Sequence, residues 1–554
     1  MSQGMPNRVL VLRSVDALRD YLEHYPTPPQ VGDNVAWLDE AAWLEDGDDA
    51  DRGRFDMAIK LGFPIVRVRT FERNPAQDLM TPERVRAMRV VPMALQRGLV
   101  AMAFEDGDNL DALEQLNFIL RERVVPVLAT PRTIRDAIAQ LYDHEQDLAI
   151  ARQLGLDPLA LQAEHDFERL AREKPVVGLV TDLIAEAVRR RASDVHVRPG
   201  ERGADVLYRI DDELVPVRRF IRALLPAVVS RVKVLGDMNL AEHRKPQDGR
   251  TTITLADGRK VDLRISVMPA VFGESIVIRL LDSSEGLWSV DQLGLTERDR
   301  ERFNDVMSMS HGIFLTTGPT GCGKSTTLYA MLLELRKQRI NILTIEDPVE
   351  FFIEDIQQMQ VNRAAGFTFA NAMRNFLRHD PDVIMVGEIR DRETAAIAVE
   401  SALTGHLVLS TLHTNSAATT LTRLLDLGIE PYLLRPSLIA VMSQRLARLT
   451  CRECMVPEEV EPHVREFLGV GLEEQFHVGE GCPACEGLGV RRRRAVYELL
   501  VVSPGIRRLM VAGAEAEAIH RLAVEEGMTP ITDAAVAMAR SGQISLAEAW
   551  RMRT

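Results

Sequence analysis

Apolar runs of four to seven residues punctuate the chain, with longer mixed stretches between them. Over residues 1–145, FPIVRV, GLVAMAF and VVPVLAT read as strands. Segments from about Asn109 to Glu122 and from about Pro131 to Tyr142 read as helices. That alternation predicts an N-terminal α/β module. Residues 146–173 are polar with scattered leucines, a helical or flexible linker. A helix is predicted from about Val176 to Arg191. ADVLYRIDDELVPV then alternates around Asp211-Asp212, and TTITLADGRKVDLRISV alternates around Asp257-Gly258. Asp-Gly between alternating strands is a strong hairpin signal, so residues 174–285 predict a compact α+β domain. Over residues 286–554, GIFLTTG, NILTIED, DVIMVGE and HLVLSTL are apolar runs with helical segments between them. This pattern predicts a parallel sheet with crossover helices, closed by a helical tail after Glu498.

Composition narrows the class. At 554 residues the chain exceeds a single core, and three or four domains are expected. Apolar residues make up 46% and charged residues 27%, as in ordinary globular proteins. The net charge of −14 argues against non-specific nucleic-acid binding as the main task. Seven of the early acids, Asp39, Glu40, Glu45, Asp46, Asp48, Asp49 and Asp51, read as a solvated face. No uncharged apolar run of 18 or more residues occurs, so no membrane span is expected. The N-terminus lacks the apolar core and cleavage site of a signal peptide, which points to the cytoplasm and reduced thiols.

The strongest chemical signal is Gly318-Pro319-Thr320-Gly321-Cys322-Gly323-Lys324-Ser325, followed by Thr326. It fits G-x-x-x-x-G-K-[ST] between a predicted strand and a predicted helix. In such a loop backbone N–H groups surround phosphates and Lys324 reaches the β- and γ-phosphates of ATP. The Ser325 hydroxyl ligates Mg²⁺, and the helix N-terminus adds its positive end. Two acidic strand ends follow, Thr344-Ile-Glu346-Asp347 and Val383-Ile-Met-Val-Gly387-Glu388. Both would lie at the carboxyl edge of a parallel sheet, where ligands bind. His406 and His413 bracket the next apolar run in an order suited to sensing a γ-phosphate.

Taken together, the P-loop, TIEDPVE, DPDVIMVGEIRD and TGHLVLSTLHTN resemble the Walker A, Asp, Walker B and His boxes of the GspE/PilB family of secretion and pilus-assembly ATPases. ASDVHVRP, PQDGR, DLRISVMP and GESIVIR resemble the family's middle domain. The resemblance implies a RecA-like P-loop NTPase core preceded by a PAS-like α+β domain and an N-terminal α/β domain. It implies a homohexamer in which middle-domain arginines neutralise phosphate charge, with Arg264 and Arg279 the best candidates and Arg250 next. Glu346 is expected to orient or deprotonate the attacking water, and Glu388 to serve Mg²⁺ or share that task. The base stays open between the two. His413, with His406 behind it, would contact the γ-phosphate. Cys322 stands where the family usually has Ser, adding a thiol to the phosphate cradle.

The remaining cysteines form two pairs, Cys451-x-x-Cys454 and Cys482-x-x-Cys485, separated by 27 residues. Two such knuckles in a reducing compartment suit tetrahedral Zn²⁺, placed in an insert over residues 448–490. An unmetallated set or iron–sulfur ligation is the alternative. The family carries this motif in its secretion and pilus-extension members, and its retraction ATPases generally lack it. The resemblance also implies docking of residues 1–145 on inner-membrane platform proteins. Some relatives bind cyclic di-GMP through an Arg-Leu-Gly-type repeat. No such repeat precedes Phe55, so cyclic di-GMP binding is not expected. These readings converge on a type II secretion motor, with type IV pilus extension the alternative and a nucleic-acid translocase a distant third.

Overall fold

The computed structural model describes all residues except 1–7, 29, 33, 46–51, 69, 70, 72, 73, 106–109, 121, 157–166, 202, 283–286, 486 and 554. Asp46, Asp48, Asp49 and Asp51 of the acidic run, Asn109 and the centre of the expected linker lie outside the described residues. The chain divides into two units, Met1–Leu281 and Asp282–Thr554.

The first unit holds two six-stranded sheets. In the first sheet, Val35–Leu38 lies at one edge and Val90–Gln96 at the other. Between them run Val9–Leu12, Ile65–Val66, Arg123–Ala129 and Leu99–Phe104. The inner pairings are parallel and both edge pairings antiparallel. Helices Val15–His24 and Pro131–Ile138 contribute Leu18, Leu22, Ile134 and Ala137 to its core. FPIVRV contracts to the two-residue strand Ile65–Val66, and Val9–Leu12, Val35–Leu38 and Val90–Gln96 are strands that the apolar pattern did not reveal.

The second sheet runs Gln247–Thr254, Lys260–Ala270, Gly273–Asp282, Asp194–Gly200, Gly203–Ile210 and Glu213–Ile221 in space, and its described pairings are antiparallel. Both expected hairpins form. Asp211 and Asp212 take φ of 47° and 70°, the left-handed pair that a tight two-residue hairpin turn demands. Gly258 takes +85° at the other turn. Part of the expected linker is a helix, His144–Gln153. Its buried Asp147 accepts hydrogen bonds from Arg218 (2.6 Å) and from the backbone N–H of Ile221 (3.0 Å).

The second unit is built on a seven-stranded sheet. Its spatial order is Gln357–Gln360, Ile342–Glu346, Val383–Val386, Leu407–Leu412, Gly312–Thr317, Leu438–Thr450 and Val490–Val501. All pairings are parallel except the last, which is antiparallel. The four apolar runs singled out above form four of these strands. The Leu412, Val386 and Thr317 ends align, so the loops that follow them share one edge. Strand Val490–Val501 carries the chain past Glu498, and the tail helices begin at Pro504. Ile531, Ala535 and Val536 of the tail pack with Val464, Leu468 and Phe476 of the cysteine insert.

Candidate nucleotide and metal sites

Strand Gly312–Thr317 is wholly buried and ends at the P-loop. Helix Lys324–Arg336 opens directly from it, with Gly323 at its N-cap in a left-handed conformation (φ 91°). Gly318 (φ 141°) admits no side chain: a Cβ there would stand 2.3 Å from the Gln444 carbonyl oxygen. Lys324 folds back over the loop. Its Nζ donates to the carbonyls of Gly318 (2.8 Å) and Pro319 (3.0 Å). Burial holds the Lys324 ammonium below its usual pKa, and Glu388 and the nearby Cys322 sulfur partly offset that. Pro319, Thr320, Gly321 and Ser325 are exposed on the loop rim, and Thr326 is half-buried. Ser325 in the first helical turn is free to offer its hydroxyl to Mg²⁺, the role that loop chemistry gives this position.

Gln444, on strand Leu438–Thr450, braces the loop from behind. Its amide donates to the Cys322 carbonyl (2.8 Å), and its Oε1 accepts from the Thr327 hydroxyl (2.9 Å). A lone polar residue inside the apolar run LIAVMSQRL was the signal for it. The Cys322 thiol is itself buried, and burial pushes its pKa up. A thiol so placed is a poor nucleophile.

Glu346 and Glu388 both reach the sheet edge that bears the P-loop, in different surroundings. Glu346 is buried and accepts from three side chains: Tyr329 on the P-loop helix, Thr344 (2.7 Å) and Gln358 (3.2 Å). Burial raises its pKa, and the three donors hold that rise back. Tyr329 in turn accepts the Glu350 N–H (3.1 Å), and Phe351 packs edge-on against its ring. Glu388 pairs instead with Arg390 (2.5 Å) and with His413 Nε2 (3.4 Å).

His413 follows Leu412, which is in register with Thr317. Thr317 and Thr414 join hydroxyls at 2.6 Å, tying the loop after His413 to the strand that carries the P-loop. His406 precedes Leu407, in register with Gly312 at the opposite end of the strands. Six residues of strand separate the two histidines by about 20 Å. His406 bonds locally to the Ser401 carbonyl (2.8 Å) and does not back His413.

The candidate arginines belong to the first unit. Arg250 and Arg264 face each other across paired strands. Together with Arg279 they line an open cavity of about 620 Å³. Like charges opposite one another in a sheet are destabilising, and Asp248 lines the same cavity. Asp194 tethers Arg279 (3.1 Å).

The four remaining cysteines meet. Their sulfurs lie within 4.8 Å of one another. Three of the separations are 3.8, 3.8 and 3.7 Å. A tetrahedron with metal–sulfur bonds of about 2.3 Å needs sulfurs about 3.8 Å apart. Backbone N–H groups of Gly481 (3.3 Å), Cys482 (3.1 Å) and Gly489 (3.2 Å) point at the sulfurs and support negative charge there. Gly479 and Gly489 cross so closely that a Cβ on either would stand 2.0–2.1 Å from the other's carbonyl oxygen. Donor set and spacing fit one tetrahedral ion.

A mostly parallel RecA-like sheet, a P-loop and two carboxylates at one edge define an ATP hydrolase of the P-loop class. Residues 169–551 match the family model described as type II/IV secretion system protein, and residues 61–148 match the MshEN domain. The chain belongs to the type II/IV secretion system protein family. It is 38% identical over 504 residues to the type IV pilus assembly ATPase PilB of Myxococcus xanthus, covering 89% of both chains. It is 39% identical over 459 residues to the type II secretion system ATPase E of Vibrio cholerae, covering 80% of this chain and 90% of that one. Against PilB of Thermus thermophilus, identity is 39% over 503 residues, and the chain spans 56% of that longer protein. The fold is shared with the ATPase DotB of Legionella pneumophila (TM-score 0.53, 22% identity, 68% of this chain and 95% of that one). No helix among the described residues is long and apolar enough to cross a membrane.

Proposed function

We propose that this protein is a hexameric, cytoplasmic motor ATPase that drives pseudopilus assembly for type II secretion, attached to the inner membrane through platform proteins. The observation that carries the reading is the meeting of P-loop, Glu388 and His413 at one sheet edge. ATP enters with its β- and γ-phosphates at Lys324, which exchanges two loop carbonyls for phosphate oxygens. Ser325, with the acidic strand ends at the same edge, would hold Mg²⁺, which would supply positive charge against the phosphates. Glu388 is the carboxylate assigned to the attacking water, because its partner is His413. Glu346, occupied by three donors, fixes Tyr329 and the strand end. His413 reads the γ-phosphate. Arg264 and Arg279, with Arg250, supply positive charge to a nucleotide from the middle domain, residues 174–285. Residues 1–145 dock on the platform. The tetracysteine insert holds structural Zn²⁺.

The test is the secreted proteome of a Lys324→Ala strain against its parent. Folded exoproteins should leave the medium and accumulate in the periplasm; an unchanged medium rejects the secretion reading. Type IV pilus extension is the second reading, and a specific observation favours it. The alignments to two PilB proteins cover 89% of this chain, against 80% for the Vibrio secretion ATPase. Loss of surface pili with normal secretion in the same strain would establish it.

A further inference from the structure

Glu498 lies on strand Val490–Val501 opposite Ser443, with only 1% of its surface exposed. A buried carboxylate needs partners that answer its charge. Here both hydrogen-bond partners are backbone groups at helix starts, with the charges of His520 and Arg445 nearby. Oε1 accepts the N–H of Ala417 (2.7 Å), the first residue of helix Ala417–Asp426. Oε2 accepts the N–H of Ile531 (3.3 Å), the first residue of helix Ile531–Arg540 in the tail. Helix N-termini carry partial positive charge, so one carboxylate satisfies two of them.

The first of these helices begins four residues after His413. The segment between has two anchors. Thr414 is held at the P-loop side by the Thr317 hydroxyl (2.6 Å) and also bonds Thr420 (2.6 Å). Ala417 is held at the other end by Glu498. Neither glutamate of the nucleotide site takes part in this second anchor.

We infer that Glu498 is a positioning residue for the His413 loop, clamping the start of the following helix and tying that loop to the C-terminal helices. The inference rests on the reading of His413 as the γ-phosphate contact. Glu498 touches no phosphate. It sets where the imidazole stands when the phosphate arrives.

The test is MgATP hydrolysis by full-length Glu498→Gln, His413→Ala and the double variant, each normalised to folded protein. Nucleotide affinity is followed with a fluorescent ATP analogue. Glutamine keeps the size, but its NH₂ must face one of the two N–H donors. Glu498→Gln should lower kcat about tenfold with nucleotide affinity within about twofold, and should cost less than about twofold in the His413→Ala background. Ala417→Pro tests the same contact from the other side. Proline suits the first helical position, and Ser416 is already extended (φ −143°). That variant deletes the donor, adds two ring carbons at a buried position, and should give the same kcat loss per folded molecule. The inference is overturned if Glu498→Gln turns over at the parental rate per folded molecule. It is equally overturned if the loss repeats in full without His413, which leaves Glu498 as a plain helix cap. Parental kcat in His413→Ala rejects the reading of His413 itself, and this inference with it.

Discussion

Glu346 and Glu388 stand at the same sheet edge and differ in what they are free to do. Glu346 spends its lone pairs on Tyr329, Thr344 and Gln358, whereas Glu388 holds only an exposed arginine and His413. Glu388→Gln should therefore lower kcat by at least about 10²-fold with a normal melting temperature. Glu346→Gln should cost turnover about tenfold or less and destabilise by about 1–3 kcal/mol, because a buried donor loses its acceptor. ATP turnover beside thermal melts separates the two, and the reverse ranking would return the water to Glu346. The sequence placed both acids at the right edge but could not rank them. Ranking depends on Tyr329, one helix away, and on Gln358, one strand away. His406 failed for a related reason: its spacing from His413 suits a pair, and the strand carries it to the far end.

Individual elements show how clustered thiols and buried charge shape local structure. The cysteine insert shares a core with the C-terminal helices. Structural zinc supplies on the order of 10–16 kcal/mol in zinc-finger peptides. One zinc per chain is expected by elemental analysis. A strong chelator should release it, open residues 451–490 to protease and loosen helix Ile531–Arg540. Four freely titrating thiols in the native protein would reject the site. The Cys-x-x-Cys spacing made this site legible; the long strands that present it did not stand out, because Arg and Gln interrupt their apolar runs.

Helix His144–Gln153 gives a second case. Burial pushes the Asp147 carboxyl up to about 6, with Arg218 and the Ile221 N–H opposing. The folded chain therefore binds this proton more tightly than the unfolded chain, whose aspartate titrates near 3.8. The sign follows: its contribution to stability falls as pH rises from about 4 to about 6, then stays level. Melting curves across that range should show the slope, and Asp147→Asn should flatten it. The polar composition of residues 146–173 left helix and flexible linker both open, since the buried Asp147 sits beside only a short apolar patch, Ile150 and Ala151.

At the scale of the whole molecule, the net charge is an average over unlike parts. Residues 451–490 carry nine glutamates and two arginines, half of the chain's −14. Elsewhere three arginines gather on one sheet face. The acidic total that disfavours nucleic acid is thus unevenly spread, with half of it in the insert. Fold class was legible because alternation, hairpin turns and the P-loop are local signals. Which strands neighbour one another was not, since Gln444 meets Cys322 across 122 residues of chain.

The last two strands of the ATPase sheet, Leu438–Thr450 and Val490–Val501, form a beam. One end is knotted where Cys451 donates its N–H to Gly489 beside the four sulfurs. About 25 Å away, eight residues along, Gln444 props the phosphate loop and Glu498 props the histidine loop, side by side on facing strands. Paired strands carry a right-handed twist along their length. The knot and both props thus hang on one pair of strands, so a displacement at the cysteines and a displacement at the nucleotide loops share a single scaffold.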